Sequence, residues 1–246
     1  MLIHVVKPGD TVYSIALEYG IPMSQLILDN GLETSSRLAV GQALVVQFPT
    51  QTHTVQPRET LASIAAAYQL PLRQLYRNNP ILGGIPEIYP GQTLVLAYDS
   101  TPEATLSVNG YAYPFIDPAL LQSTVPYLTY LTPFTYGFTP DGTLVELDDE
   151  ALLAAARQGG AAPLMHLSTL TEEGGFSNEL AHLALTQPAV QDTLVDNLEA
   201  MLVQKGYRGL DIDFEYVRAK DGPAFAEFTG RVRRVLQVFG YPVSVA

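Results

Sequence analysis

The stretch HVVKPGDTVYSIALEYGIPMSQLILDN, from His4, recurs as HTVQPRETLASIAAAYQLPLRQLYRNN from His53, a spacing of 49 residues. A repeat of that length is one supersecondary unit used twice, so the first hundred residues divide into two similar pieces. Each copy closes on a Gly-Gln turn and a short apolar strand, VGQALVVQF from Val40 and PGQTLVLAY from Pro90. Within a copy the pattern reads strand, helix, helix, strand. Thr11 caps a helix whose Val12, Ile15 and Ala16 fall at i, i+3 and i+4, with Gly20 at its end. Ser24 opens a second, shorter helix through Leu28 that stops at Asn30-Gly31. The second copy uses Thr60, Leu61, Ile64 and Ala65, then Leu72 to Tyr76, in the same way. A unit of about fifty residues has a marginal core and must pack tightly.

These units resemble LysM domains in the opening VKPGDT, the Ile15-Ala16 pair, the Asn after the second helix and the closing PGQTL. The resemblance implies binding of N-acetylglucosamine-containing glycans, peptidoglycan or chitin, in a shallow groove between the loop after the first strand and the loop after the second helix. Carried over, that groove is Gly9, Asp10, Thr11, Asn30 and Gly31 in the first copy. In the second it is Glu59, Thr60, Asn78, Asn79 and Pro80, with Arg58 where the first copy has glycine. Asp10, Thr11 and Thr60 also read as helix caps, and a cap fixes the loop that touches a sugar.

After DSTPEA (99–104) the rhythm changes to apolar strand, loop, helix. Candidate strands are LSVNGYAYPF, YLTYLTPFTYGF, APLMHLS, GLDIDFEYV and PVSVA; helices fall at 148–158, 188–205 and 223–239, each followed by glycine. Strands alternating with helices imply parallel strands and an α/β sheet or barrel. The aromatic ends GYAYPF and FTYGF follow their strands, where such folds place binding sites. In GLDIDFE, Asp211, Asp213 and Glu215 alternate with Ile212 and Phe214, so all three carboxylates project from one face. Like charges about 6 to 7 Å apart along a strand repel, and desolvation adds to the cost. A fold keeps such a row only where something offsets the cost.

A net charge of −12 argues against nucleic acid or an anionic membrane surface as a partner. With no cysteine there is no disulfide, thiolate metal site or cysteine nucleophile. No run of about 18 apolar residues is present, and the N-terminus lacks a signal-peptide pattern, so synthesis in the cytoplasm is expected. His166 and His182 lack a spaced partner and read as structural; neither a metal nor a cofactor is assigned.

The GLDIDFE strand resembles the signature of glycoside hydrolase family 18, matched at Gly209, Asp211, Asp213 and Glu215. NGYAYPF, APLMHLSTL and GGFSNELAHLALTQPAVQDTL extend the resemblance to the spore-germination, cortical fragment-lytic branch, which carries two LysM units ahead of a TIM barrel. The resemblance implies substrate-assisted, retaining cleavage in which the substrate's own 2-acetamido group attacks. Glu215 is then the acid, its pKa expected to rise through partial burial and Asp213; Asp213 orients the acetamido group; Asp211 shares a proton with Asp213. Tyr113, Phe134, Tyr136 and Tyr216 are candidates for sugar contacts. It also implies peptidoglycan as substrate and deposition on the spore coat or cortex surface.

The expected organisation is a LysM unit at 1–48, a second at 51–98, a linker at 99–104, and at 105–246 the N-terminal part of a (β/α)8 barrel. That last segment is shorter than the roughly 200 residues a barrel needs, so truncation of the chain and incomplete activity are expected. Two other readings stay open. One is a non-catalytic wall-binding or spore-coat protein; the other, ranked last, has the three carboxylates holding Mg²⁺ or Ca²⁺.

Overall fold

A computed structural model describes residues 1–33, 37–99 and 105–246. Residues 100–104 of the expected linker lie outside them. The chain divides into two compact units, Met1–Leu106 with Gln122–Tyr127, and Ser107–Leu121 with Leu128–Ala246.

The first unit holds both repeats. In the first, β1 (Leu2–Val5), α1 (Val12–Tyr19), α2 (Met23–Asp29) and β2 (Ala43–Val46) follow the expected order, and β1 pairs antiparallel with β2. The second repeats the plan with β3 (Pro49–Thr54), α3 (Leu61–Ala67), α4 (Leu72–Asn78) and β4 (Thr93–Tyr98). The periodic residues Ile15 and Ala16, with Leu26, Leu44 and Val46, form one buried cluster; Leu61, Ile64, Leu75, Leu94 and Leu96 form a second. Each repeat therefore has a core of its own, and each buried leucine, isoleucine or valine in it contributes roughly 1.5–3 kcal/mol.

Thr11 and Thr60 open the first helices through matching capping boxes with Ser14 and Ser63. The second helix differs from expectation: α2 begins at Met23 behind Pro22, with no side-chain cap, and Ser24 lies inside it. Proline fixes the extended entry, so a serine cap is unnecessary.

In the second unit β5 (Asn109–Ala112), the first part of α5 (Pro118–Thr124, counted with the first unit from Gln122 on), β6 (Tyr130–Pro133), a hairpin of β7 (Gly137–Phe138) and β8 (Leu144–Val145), and α6 (Glu150–Gly159) come first. Then follow β9 (Ala162–Pro163), β10 (Met165–Ser168), α7 (Asn178–Thr186), α8 (Pro188–Lys205), β11 (Leu210–Asp213), α9 (Gly222–Leu236) and β12 (Val243–Val245). β5, β6 and β9 pair in parallel, as do β10, β11 and β12; β9 and β10 are consecutive pieces of one extended segment. Each strand thus lies beside the next in sequence, the order of a sheet wound in one direction. Helices α7, α8 and α9 cover it through Leu180, Leu185, Leu194, Leu198, Phe228 and Val232.

β11 stops at Asp213, four residues short of the expected strand, because the chain turns at Glu215–Tyr216, where Tyr216 takes a positive φ of 57°. Gly209 at its start is required by crowding, since a Cβ there would stand 2.7 Å from the Pro242 carbonyl oxygen.

Candidate active site

The carboxylates form a row of graded burial. The Asp211 side chain is 2% exposed, Asp213 is 20% exposed, and Glu215 is half-buried in the turn beyond the strand. Asp211 is held on both oxygens: the Tyr111 hydroxyl donates to Oδ2 at 2.7 Å and the Ser244 hydroxyl to Oδ1 at 2.5 Å. The register causes this, because Ser244 of β12 stands directly opposite Asp211. Burial, together with the bond to Asp211, pushes the Tyr111 hydroxyl up to about 12, so it stays a donor.

Asp213 is held above the ordinary carboxylate range, chiefly by desolvation, with Glu215 and Asp211 adding to the rise and His166 opposing it. His166, opposite Asp211 on β10, is fully buried; its Nε2 lies 3.5 Å from Asp213 Oδ2 and 3.9 Å from Asp211 Oδ2. Asp213, Tyr111, Tyr113, Phe134 and His166 line one cavity of about 360 Å³. A second, of about 340 Å³, lies against Phe138, Glu172 and Glu179 and includes none of the row.

Of the aromatic candidates, the structure brings two to this cavity. Tyr113 and Phe134 meet edge to face, 5.0 Å between ring centres, and exposed Phe115 stacks on Tyr113 at 5.0 Å. Tyr136 is a correction: it is wholly buried, and its hydroxyl donates to Asp149 at 2.5 Å in a network with Tyr207 and Lys205. Its place in the aromatic strand end FTYGF had suggested a sugar contact, but the core claimed it. Tyr216 is 72% exposed in the turn after Glu215. Tyr111, Ser244 and Phe115 escaped the sequence reading. Tyr111 had a signal, since it shares the strand face of Tyr113 two residues away.

In the repeats, Gly9, Thr11, Gly31, Thr60 and Pro80 are exposed on the loops. Asn30 and Asn79 correct the expected grooves. Each spends its whole amide on backbone: Asn30 Nδ2 donates to the Leu26 and Val45 carbonyls and its Oδ1 accepts from Val45 N. Asn79 does the same with Leu75 and Val95. Asn78 is buried too, donating to the Leu96 carbonyl. These amides tie the second helix to the last strand, and those of Asn30 and Asn79 have no donor left for a sugar.

Asp10 and Glu59 form a clasp. His4 Nε2 lies 3.0 Å from Asp10 and His4 Nδ1 3.0 Å from the Tyr19 hydroxyl; His53, Glu59 and Tyr68 reproduce this at 2.7 and 3.1 Å. A carboxylate only accepts, so Nε2–H donates to it and Nδ1 takes the tyrosine proton. Both carboxylates are held below their ordinary range, first by the backbone N–H of Lys7 or Gln56 and then by the histidine.

The LysM domain family matches residues 4–47 and 53–97, so the chain carries two LysM repeats. A cortical fragment-lytic enzyme of Bacillus anthracis is 35% identical over 246 residues, 97% of this chain and 56% of that protein. The crystal structure of the Bacillus cereus spore cortex-lytic enzyme SleL superposes with a TM-score of 0.70 at 30% identity, over 99% of this chain and 57% of that one. A chitinase from Chromobacterium violaceum shares the fold over 57% of this chain and 45% of its own, with a TM-score of 0.51 at 20% identity. The chain spans little more than half the length of the curated relatives it matches.

Proposed function

From a chain that carries two LysM repeats and is related along its length to cortical fragment-lytic enzymes, we propose a peptidoglycan glycosidase of family 18 that cuts beside N-acetylglucosamine. Residues 1–48 and 51–98 are its glycan-binding units, 99–104 the linker, and 105–246 the first strands of a (β/α)8 barrel. The sequential parallel order of the strands supports the barrel, since a doubly wound sheet reverses direction. The observation that carries the reading is the row itself: Asp211 fastened by Tyr111 and Ser244, and Asp213 opening on an aromatic-lined cavity.

In this reading Glu215 protonates the leaving oxygen, Asp213 orients the substrate's acetamido group as it attacks the anomeric carbon, and the configuration is retained. Tyr113, Phe134 and Tyr216 offer stacking surface. The exposed loop residues Gly9, Thr11, Gly31, Thr60 and Pro80 hold the glycan, with Asp10 and Glu59 shaping their loops. The place of action is the spore cortex.

Mass spectrometry of muramidase-released cortex fragments after incubation with this chain tests the reading, with Glu215→Gln alongside. Products with terminal or free N-acetylglucosamine from the parent alone support it. Equal cutting by Glu215→Gln removes Glu215 from the mechanism. Binding without products from either protein favours a non-catalytic wall-binding role, the second reading.

A further inference from the structure

Among the described residues, His166 on the carboxylate face is fully buried, titratable and unused by the proposed mechanism. Its Nε2 has no hydrogen-bond partner, a costly state for a polar atom with no access to water. Every other part of the ring is fixed. Nδ1 is 2.6 Å from the Thr135 hydroxyl, the Phe134 ring lies 4.7 Å away, and Tyr111 meets it edge-on at 5.6 Å. With Nδ1 engaged by Thr135, the free nitrogen aims between Asp213 and Asp211.

We propose that His166 is a positioning residue for Asp213: its Nε2–H is the donor that holds the Asp213 carboxyl in its inward orientation, as Tyr111 and Ser244 hold Asp211. The assignment rests on the proposed function, because that reading is what makes the orientation of the Asp213 carboxyl matter to the reaction. At 3.5 Å the two atoms stand at the outer edge of hydrogen-bond distance, so a small rotation of the Asp213 carboxyl closes the contact and satisfies Nε2. The groups facing the ring are Asp211 and Asp213 from β11, Tyr111 from β5, and Thr135 with Phe134 from the segment after β6, with Glu215 acting on Asp213 from the turn. Burial lowers the basicity of the imidazole while both aspartates raise it, and with the Thr135 hydroxyl donating to Nδ1 the one proton of the neutral ring sits at Nε2. An interior hydrocarbon of similar size fills the space without supplying the donor.

The test is carboxyl-carbon NMR titration of this chain, comparing the parent with His166→Leu and His166→Gln. Losing the donor raises the Asp213 midpoint by about one pH unit in His166→Leu, whereas His166→Gln, whose amide restores an N–H, stays near the parent. In steady-state assays the acid limb of kcat/KM moves up with it, and kcat falls about tenfold with KM unchanged. A folded His166→Leu with an unmoved Asp213 midpoint overturns the proposal. Should His166→Leu not fold, Thr135→Val keeps the ring and frees Nδ1. The expected result is then loss of the single Nε2–H form in the imidazole nitrogen spectrum with a partial rise for Asp213, and an unchanged pair of signals overturns the proposal. The titration needs no turnover, so a parent chain that does not cut counts against the proposed function alone.

Discussion

The Tyr111 hydroxyl donates to Asp211 Oδ2 at 2.7 Å, joining the first parallel strand of the second unit to its fourth. The most deeply buried carboxylate of the row is thus fastened by a residue a hundred positions away in sequence. Tyr111→Phe deletes that one donor and keeps the ring. Stability is expected to fall by about 1.5 kcal/mol in urea denaturation. Cleavage should slow at least tenfold with KM unaltered. A phenylalanine variant as stable and active as the parent refutes the fastening role.

Asp213 is expected to be a net cost to the fold at neutral pH. Its folded value is raised above the ordinary 3.8, so below that value both states are protonated and no cost arises. As pH climbs through the folded value, the native state acquires a desolvated charge that the unfolded chain carries freely. Asp213→Asn should therefore raise Tm by roughly 3 °C at pH 7, with the gain fading below pH 4. Thermal melts at several pH values check the sign; a gain that grows on acidification contradicts it.

Asn79→Ala should cost about 3 kcal/mol, because three backbone groups lose their partner in a buried site. Asn30→Ala should cost somewhat less at its half-buried position. Below its melting point, each variant is expected to bind peptidoglycan as the parent does. Isothermal titration and pull-down on insoluble peptidoglycan separate the two effects, and lost binding by a folded Asn79→Ala returns that residue to the groove.

The two histidine clasps bear on acid resistance. Asp10 and Glu59 have folded values below the ordinary 3.8 and 4.5, so their stabilisation is complete above those values and disappears as pH falls through the folded ones. Asp10→Asn with Glu59→Gln should lower stability at pH 7 and flatten its decline below about pH 4. Chemical denaturation at pH 7 and pH 3 gives the comparison; parallel curves for parent and variant rule the clasps out as acid-sensitive elements.

Much of this was legible in the chain. The repeat gave two separate cores through Ile15 and Ile64, and α8 runs from Pro188 to Lys205 as its proline and Gly206 announce. α7 was missed although Ser177 caps it, because its apolar Leu180, Ala181, Ala184 and Leu185 sit in a stretch dominated by the preceding Gly-Gly. The row was visible from alternation alone. Its fastenings were not, since Ser244 and His166 reach Asp211 through strand register, a property of three segments at once. Asn30 and Tyr136 misled for a related reason: a residue type says what a side chain offers, and only the fold says which neighbour takes it.

Arg58 holds a φ of 75° where Gly9 of the first repeat holds 91°. Left-handed backbone costs a side-chain-bearing residue about 1–2 kcal/mol, yet the loop keeps its course. What bends it must therefore lie outside the residue at the bend, and the carboxylate that follows, gripped by a histidine and by the N–H three positions back, is in place in both copies. Curvature here is imposed from the flank, like a hinge pin rather than a soft joint. The position itself is left open to mutational drift, and a duplicated unit can change its surface there without redrawing its outline.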